Sequence, residues 1–237
     1  MGLRALCYER KKASYHLDVL AEHETVGSGA GVAQLAERQP SKLNVAGSIP
    51  VSRSNPHHGG VPGKGVRIRP ERPTDAEHIR RVHDAAFGGL TEGRIVDDLR
   101  GMPQWIEGGS LVAEEPGAGR IVGHLLISRA TLERGYRSAR DIWAVGPVGV
   151  LPARQAEGIG AALMRDAIAL ATRRGQPLLC LVGHADYYPR FGFEPARAIG
   201  LDAPSAWPDV NWQALRLPAW TPDLRGRVRF PPAFREE

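Results

Sequence analysis

The stretch VGPVGVLPARQAEGIGAALMRDAIALA, Val145 to Ala171, decides how this chain folds. A β-rich run rises to Leu151-Pro152, where proline ends it. A short basic and polar link follows, then Gly158 and Gly160, then Ile159, Leu163, Ala167 and Leu170 at the spacing of an amphipathic helix. Beyond it, QPLLCLVGH (176–184) is an unbroken apolar run, as expected of a strand buried on both faces. Strand, helix and strand in this order predict a parallel, right-handed crossover from Val145 to His184. Pro147 removes a ladder donor mid-strand, which predicts a bulge or kink. Two uses of the glycines are open at this point. They make the turn only, or they clear bare backbone for a ligand.

Upstream, VRIRP from Val66 alternates like a strand, and Pro73-Thr74-Asp75 supplies a helix start. Ile79, Val82, Ala85 and Phe87 form the helical stripe, and Gly88-Gly89 ends it. TEGRIVDDLRGM (91–102) is a second short helix. GSLVAEE (109–115) and RIVGHLLISRATLE (120–133) are strands joined by a PGAG turn. Downstream, ADYYPRFGF reads as a short helix broken by Pro189, FEPARAI leads to a strand, and VNWQALRL (210–217) closes the sheet. The class is α/β (α+β), a mixed central β-sheet flanked by helices.

The first 65 residues read differently. They lack a sustained helical or strand period and end in Gly, Pro and His, so a disordered extension is expected. GVAQLAER and AGSIPVSRS resemble peptides translated across a transfer-RNA gene; Gly-Ser-Ile-Pro can be written GGT TCG ATT CCC, the T-arm pattern. The expected organisation is an extension at 1–65 with a misassigned start, a domain at 66–217 beginning near Val61 or Val66, and a loosely packed tail at 218–237.

Lys and Arg outnumber Asp and Glu by 31 to 26, but the charges are scattered, with no basic block interleaved with aromatics. That pattern is a solvated mixed surface, so neither nucleic acid nor membrane is an expected partner. No apolar run reaches the roughly 18 residues that span a bilayer. Cys7 and Cys180 are far apart, so no disulfide framework is indicated and a reducing cytoplasm is expected. His57 and His58 lack a third ligand at suitable spacing, so no metal is expected.

A nucleotide-hydrolase phosphate loop needs Gly-Lys-Ser/Thr, which is missing here, and a dinucleotide fingerprint needs a third glycine where Leu163 stands. QAEGIGA fits a third device, Gln/Arg-x-x-Gly-x-Gly/Ala, and through it the chain resembles the GNAT acetyltransferase superfamily over about 66–217. VGPVGVLP is similar to the splayed strand of that family, and YYPRFGF to its Tyr-x-x-x-Gly-Phe signature.

The resemblance implies acetyl-CoA as co-substrate, with no metal. Gln155, Ala156, Glu157, Gly158, Ile159, Gly160 and Ala161 would hold its diphosphate on the open amides of a helix start. Val148 and Val150 would pair with the pantetheine arm. Ala156 stands where relatives often carry Gly or a polar residue, a change that keeps the backbone donor. Tyr188 matches the usual general acid, a phenol with reference pKa near 10, and the adjacent Tyr187 is not excluded from that role. His184 is the favoured base, with Glu92 and His124 as alternatives, or ordered water in place of any base.

The implied activity is N-acetyl transfer to a primary amine of a small molecule or protein, in a monomer or homodimer. The alternative is a non-catalytic acyl-CoA-binding sensor on the same fold. The acceptor site is expected between 87–105 and 201–212, where Trp207 and Trp212 line it or pack in the core.

Overall fold

Nine strands join one sheet in the computed structural model, which describes residues 65–135, 138–204 and 208–234. The expectations for 1–64, including the transfer-RNA-like pieces, Cys7, His57 and His58, lie outside the described residues, as does Trp207. In chain order the elements are β1 (Arg67–Pro70), α1 (Ala76–Phe87), α2 (Thr91–Arg100), β2 (Trp105–Glu114), β3 (Ile121–Arg134), β4 (Ser138–Val150) and α3 (Ile159–Arg173). Then come β5 (Leu178–Val182), β6 (Glu194–Pro195), β7 (Leu201–Asp202), β8 (Trp212–Arg216) and β9 (Gly226–Arg229). The sheet runs β1-β2-β3-β4-β5-β8-β6, and β9 pairs with both β3 and β7. β4 and β5 are parallel; the other strand pairs on the main path are antiparallel. This is the expected mixed sheet flanked by helices.

Arg69 locks β1 to the lead-in of α1 and to the end of β2. Its buried guanidinium lies 2.6 Å from Asp75 and 2.8 Å from Glu114. Burial pushes the Asp75 carboxyl up, but its bonds from Arg69 and the Arg72 amide more than offset this and hold it below the usual range. The chain then turns into α1, which ends at Gly88 in the left-handed region (φ 70°), as its sequence requires. The buried stripe of α1 differs from the expected one. It runs through Ile79, Val82, His83 and Ala86, while Ala85 is exposed. His83, at i+4 from Ile79, faces inward with the apolar residues.

The bulge at Gly146-Pro147 is present. Leu125 faces Val148 and Ile127 faces Val145, so two residues of β4 stand against Leu126 alone. Beyond the bulge β4 stays on β3, but it leaves β5: the β4–β5 register covers only Trp143–Leu179 and Ala144–Cys180. The sheet therefore splits into a V between β4 and β5. α3 lies on one face, packing so closely that a Cβ on Gly123 would approach Ile159 Cγ2 to 3.0 Å.

Two C-terminal expectations are corrected. Pro189 does not break a helix; it sits in the first turn of a short 3-10 turn, Tyr188–Phe191, where its missing N–H is harmless. The segment after Pro218 is not a loose tail. β9 pairs with β3 from Thr131 to Glu133, and Leu224 and Val228 are fully buried. Its proline-rich sequence hides a strand of only four residues, too short for alternation to reveal. Cys180 is a free buried thiol whose pKa is raised by burial. No helix among the described residues is long and apolar enough to cross a membrane.

Candidate functional site

On the side of β4 that faces away from β3, pairing with β5 stops at Ala144, and the β3–β4 ladder fixes which later peptide groups of β4 turn to that side. The Leu151 amide donates to the Val122 carbonyl (2.9 Å), which sets the phase of the β3–β4 ladder. Gly149, opposite His124, points its peptide groups at β3 as well. Val148 and Val150 then point theirs the other way, toward the side that β5 has vacated. The Val150 carbonyl accepts from Gln155 Nε2 (3.1 Å), which ties the following loop to this edge.

That loop opens α3. Ala156 (φ 65°) and Gly158 (φ 80°) are both left-handed, and Gly158 is the N-cap without a side-chain cap. Alternation of this kind turns successive N–H groups to one side, as in an anion-binding nest. The first bond one turn back in α3 runs from the Ala162 amide to the Gly158 carbonyl (2.9 Å). The amides of Gly158, Ile159, Gly160 and Ala161 therefore have no acceptor one turn back, and the positive end of the helix dipole lies there. At Ala156 the backbone adopts a conformation that a Cβ disfavours. Arg154 pairs with Glu157 (2.9 Å) and Glu115, flanking the loop.

Tyr188 is buried and shares one apolar cluster with Val145, Val148, Ile159 and Leu181. Its ring fits because residue 183 is glycine; a Cβ there would lie 2.2 Å from Tyr188 Cε2. Tyr187 packs edge-on against it (5.1 Å) with Arg190 over its other side. Burial pushes the Tyr187 phenol up to about 12, against the pull of Arg190 and Arg165. Val148, Val150 and Tyr188 thus share one apolar cluster, and Gln155 is tied to the Val150 carbonyl.

The base candidates fall in separate places. His184 lies two residues past β5, half-buried, its carbonyl accepting from the Tyr187 amide (3.1 Å). Glu92 is buried in the first turn of α2, and burial raises its pKa. His124 is fully buried on β3, bonded to His83 and Ser110. Sequence reasoning missed His83, which stands between His124 and β4. Its inward position in the α1 stripe was the available signal. Trp212 belongs to the core, its Nε1 donating to the Leu201 carbonyl (2.8 Å), and does not line the acceptor site. Among the described residues no group of three or more His, Cys, Asp or Glu could hold a metal ion.

Residues 67–196 match the family model of the acetyltransferase (GNAT) domain. An uncharacterized N-acetyltransferase of Escherichia coli, YjhQ, is 34% identical over 160 residues, covering 66% of this chain and 87% of the relative. A GNAT family acetyltransferase from Brucella melitensis, crystallised with acetyl-CoA, is 36% identical, with a TM-score of 0.57 over 72% of this chain and 98% of that one. The Escherichia coli protein YhbS, crystallised with CoA, shares the fold at a TM-score of 0.64 and 24% identity, over 75% of this chain and 96% of its own.

Proposed function

The chain belongs to the GNAT family of acetyltransferases, and from that premise we propose that it transfers acetyl from acetyl-CoA to a primary amine of a small molecule or protein, by direct attack in a ternary complex. The observation that carries this reading is the left-handed pair Ala156 and Gly158 opening α3 beside the split between β4 and β5. Amides from Ala156 to Ala161 suit the oxygens of a diphosphate, and glycine lets them approach. The outward peptide groups of Val148 and Val150 suit the amides of a pantetheine arm, aligned like a further strand. The complexes of the Brucella melitensis and YhbS proteins with acetyl-CoA and CoA support the same ligand here.

Acetyl-CoA, when bound, supplies a thioester whose carbonyl carbon accepts the amine. An alkyl ammonium has a pKa near 10, so it must lose a proton before attack. The Val148 N–H stands as donor to the oxyanion that develops. Tyr188, buried near the end of β5, stands as proton donor to the departing sulfur.

The test is calorimetric binding of acetyl-CoA, followed by a screen of amine acceptors that reads free thiol. Binding with amine-dependent thiol release is expected. Binding with no release from any amine leaves a sensor module; no binding at all refutes the reading.

A further inference from the structure

A buried polar chain runs from the flank of the molecule to the back of β4. Arg100 holds Glu71 through two bonds (2.9 and 3.3 Å). Glu71 bonds Ser110 Oγ, Ser110 Oγ lies 2.8 Å from His124 Nε2, and His124 Nδ1 lies 2.7 Å from His83 Nε2. Both imidazoles are fully buried.

The acid at the head of this chain fixes every proton in it. A carboxylate paired with arginine only accepts, so Ser110 donates to Glu71. Ser110 Oγ then accepts from His124 Nε2–H. His124 Nδ1 is therefore a bare acceptor and takes the proton of His83 Nε2–H. His83 Nδ1 is left with an uncovered lone pair. That atom is buried and has no hydrogen-bond partner. It sits against β4 where a Cβ on Gly149 would come within 2.9 Å, so glycine admits the ring. A histidine serving packing alone spends both nitrogens, because a buried nitrogen left unpaired costs about 1–3 kcal/mol. Gly149 lies between Val148 and Val150, the residues whose peptide groups point away from β3.

We propose that His83 Nδ1 accepts, through one water, the proton that the attacking amine loses, and that His124, Ser110 and Glu71 are positioning residues that fix its tautomer. The inference rests on the acetyltransferase reading. As the N–C bond forms and the C–S bond breaks, the amine proton passes to Nδ1, and the C–S electron pair leaves on sulfur. Sulfur takes a proton from Tyr188. Water in the emptied cleft returns the proton from His83 to the Tyr188 oxygen, so both groups are reset. At neutral pH the ring is uncharged, because burial, with Arg100 nearby, lowers the His83 pKa to about 3; it holds the proton only in passing and hands it on.

His83→Gln is the informative variant. Its amide can still donate to His124 Nδ1, but it carries no basic lone pair. With an acceptor from the thiol-release screen, kcat should fall by about 10²-fold or more. The KM for acetyl-CoA should stay within about twofold. The loss should be as large for arylamine or hydrazide acceptors, because their nitrogen also sheds a proton as the N–C bond forms. Ser110→Ala leaves His83 in place and should lower kcat about tenfold; it keeps the test decisive if His83→Gln does not fold. In protein with ¹⁵N-labelled histidine, His83 should show a non-protonated Nδ1 and a protonated Nε2, with or without activity. Unimpaired kcat in both variants, a loss confined to basic acceptors, or a protonated Nδ1 overturns the inference alone. Acetyl-CoA binding without turnover on any amine in the wild-type protein overturns the transferase reading, and the inference with it.

Discussion

The two buried imidazoles make stability depend on pH in a window where few other groups act. Burial lowers the His83 pKa from 6.5 to about 3. A depressed pKa means that the unfolded chain binds protons first as pH falls. The stabilisation is complete above pH 6.5 and is lost progressively toward pH 3. Between pH 8 and pH 5 the proton-binding ratio of unfolded to folded His83 reaches roughly 32, worth about 2 kcal/mol at 25 °C. His124 is lowered well below its usual value by burial and by its neighbours His83 and Arg100, so it acts in the same direction. Glu92 opposes them, because burial raises its pKa and acidification favours its folded form. Asp75 is held low and responds only at more acid pH. For a chain of this size about 2 kcal/mol is a drop in Tm of about 4–8 °C. Urea unfolding at pH 8, 6.5 and 5 reads it directly, and the double variant His83→Gln/His124→Gln should flatten the profile. A wild-type midpoint that does not change from pH 8 to 5, or a double variant with the wild-type slope, would refute the reasoning.

Three further outcomes rest on named contacts. Ala156→Gly should stabilise the protein by about 0.5–1 kcal/mol, since left-handed strain on alanine outweighs the extra freedom of glycine in the unfolded chain; a thermal melt that falls speaks against the loop conformation. Tyr188→Phe should cut amine-dependent thiol release by about 10²-fold or more while acetyl-CoA affinity holds; undiminished release removes Tyr188 as the acid. Arg69→Met strands the Asp75 and Glu114 carboxylates and should cost about 3 kcal/mol in denaturant unfolding; a neutral result means that the pair is dispensable.

The fold was readable where periodicity is long. The α3 stripe, the apolar β5 run and the Gly-Pro interruption in β4 each carry their signal within one segment. β9 was not readable, because four residues flanked by proline carry no alternation and their pairing with Thr131–Glu133 spans most of the domain. The loop Gln155–Ala161 was found by its glycines. The left-handed Ala156 was not foreseen, since alanine does not announce that conformation. His83 escaped notice because its meaning comes from His124, 41 positions away, and from the glycine at 149 that makes room for it. The chain Glu71–Ser110–His124–His83 comes together only once the strands and α1 are assembled.

The most direct test of the account is an amide ¹H–¹⁵N titration of the protein with CoA. The resonances of Ala156–Ala161, with those of Val148 and Val150, should move together and saturate with one affinity. Binding of CoA that leaves those amides unmoved, or moves only amides elsewhere, would contradict the assignment of this loop and strand edge as the acyl carrier's site.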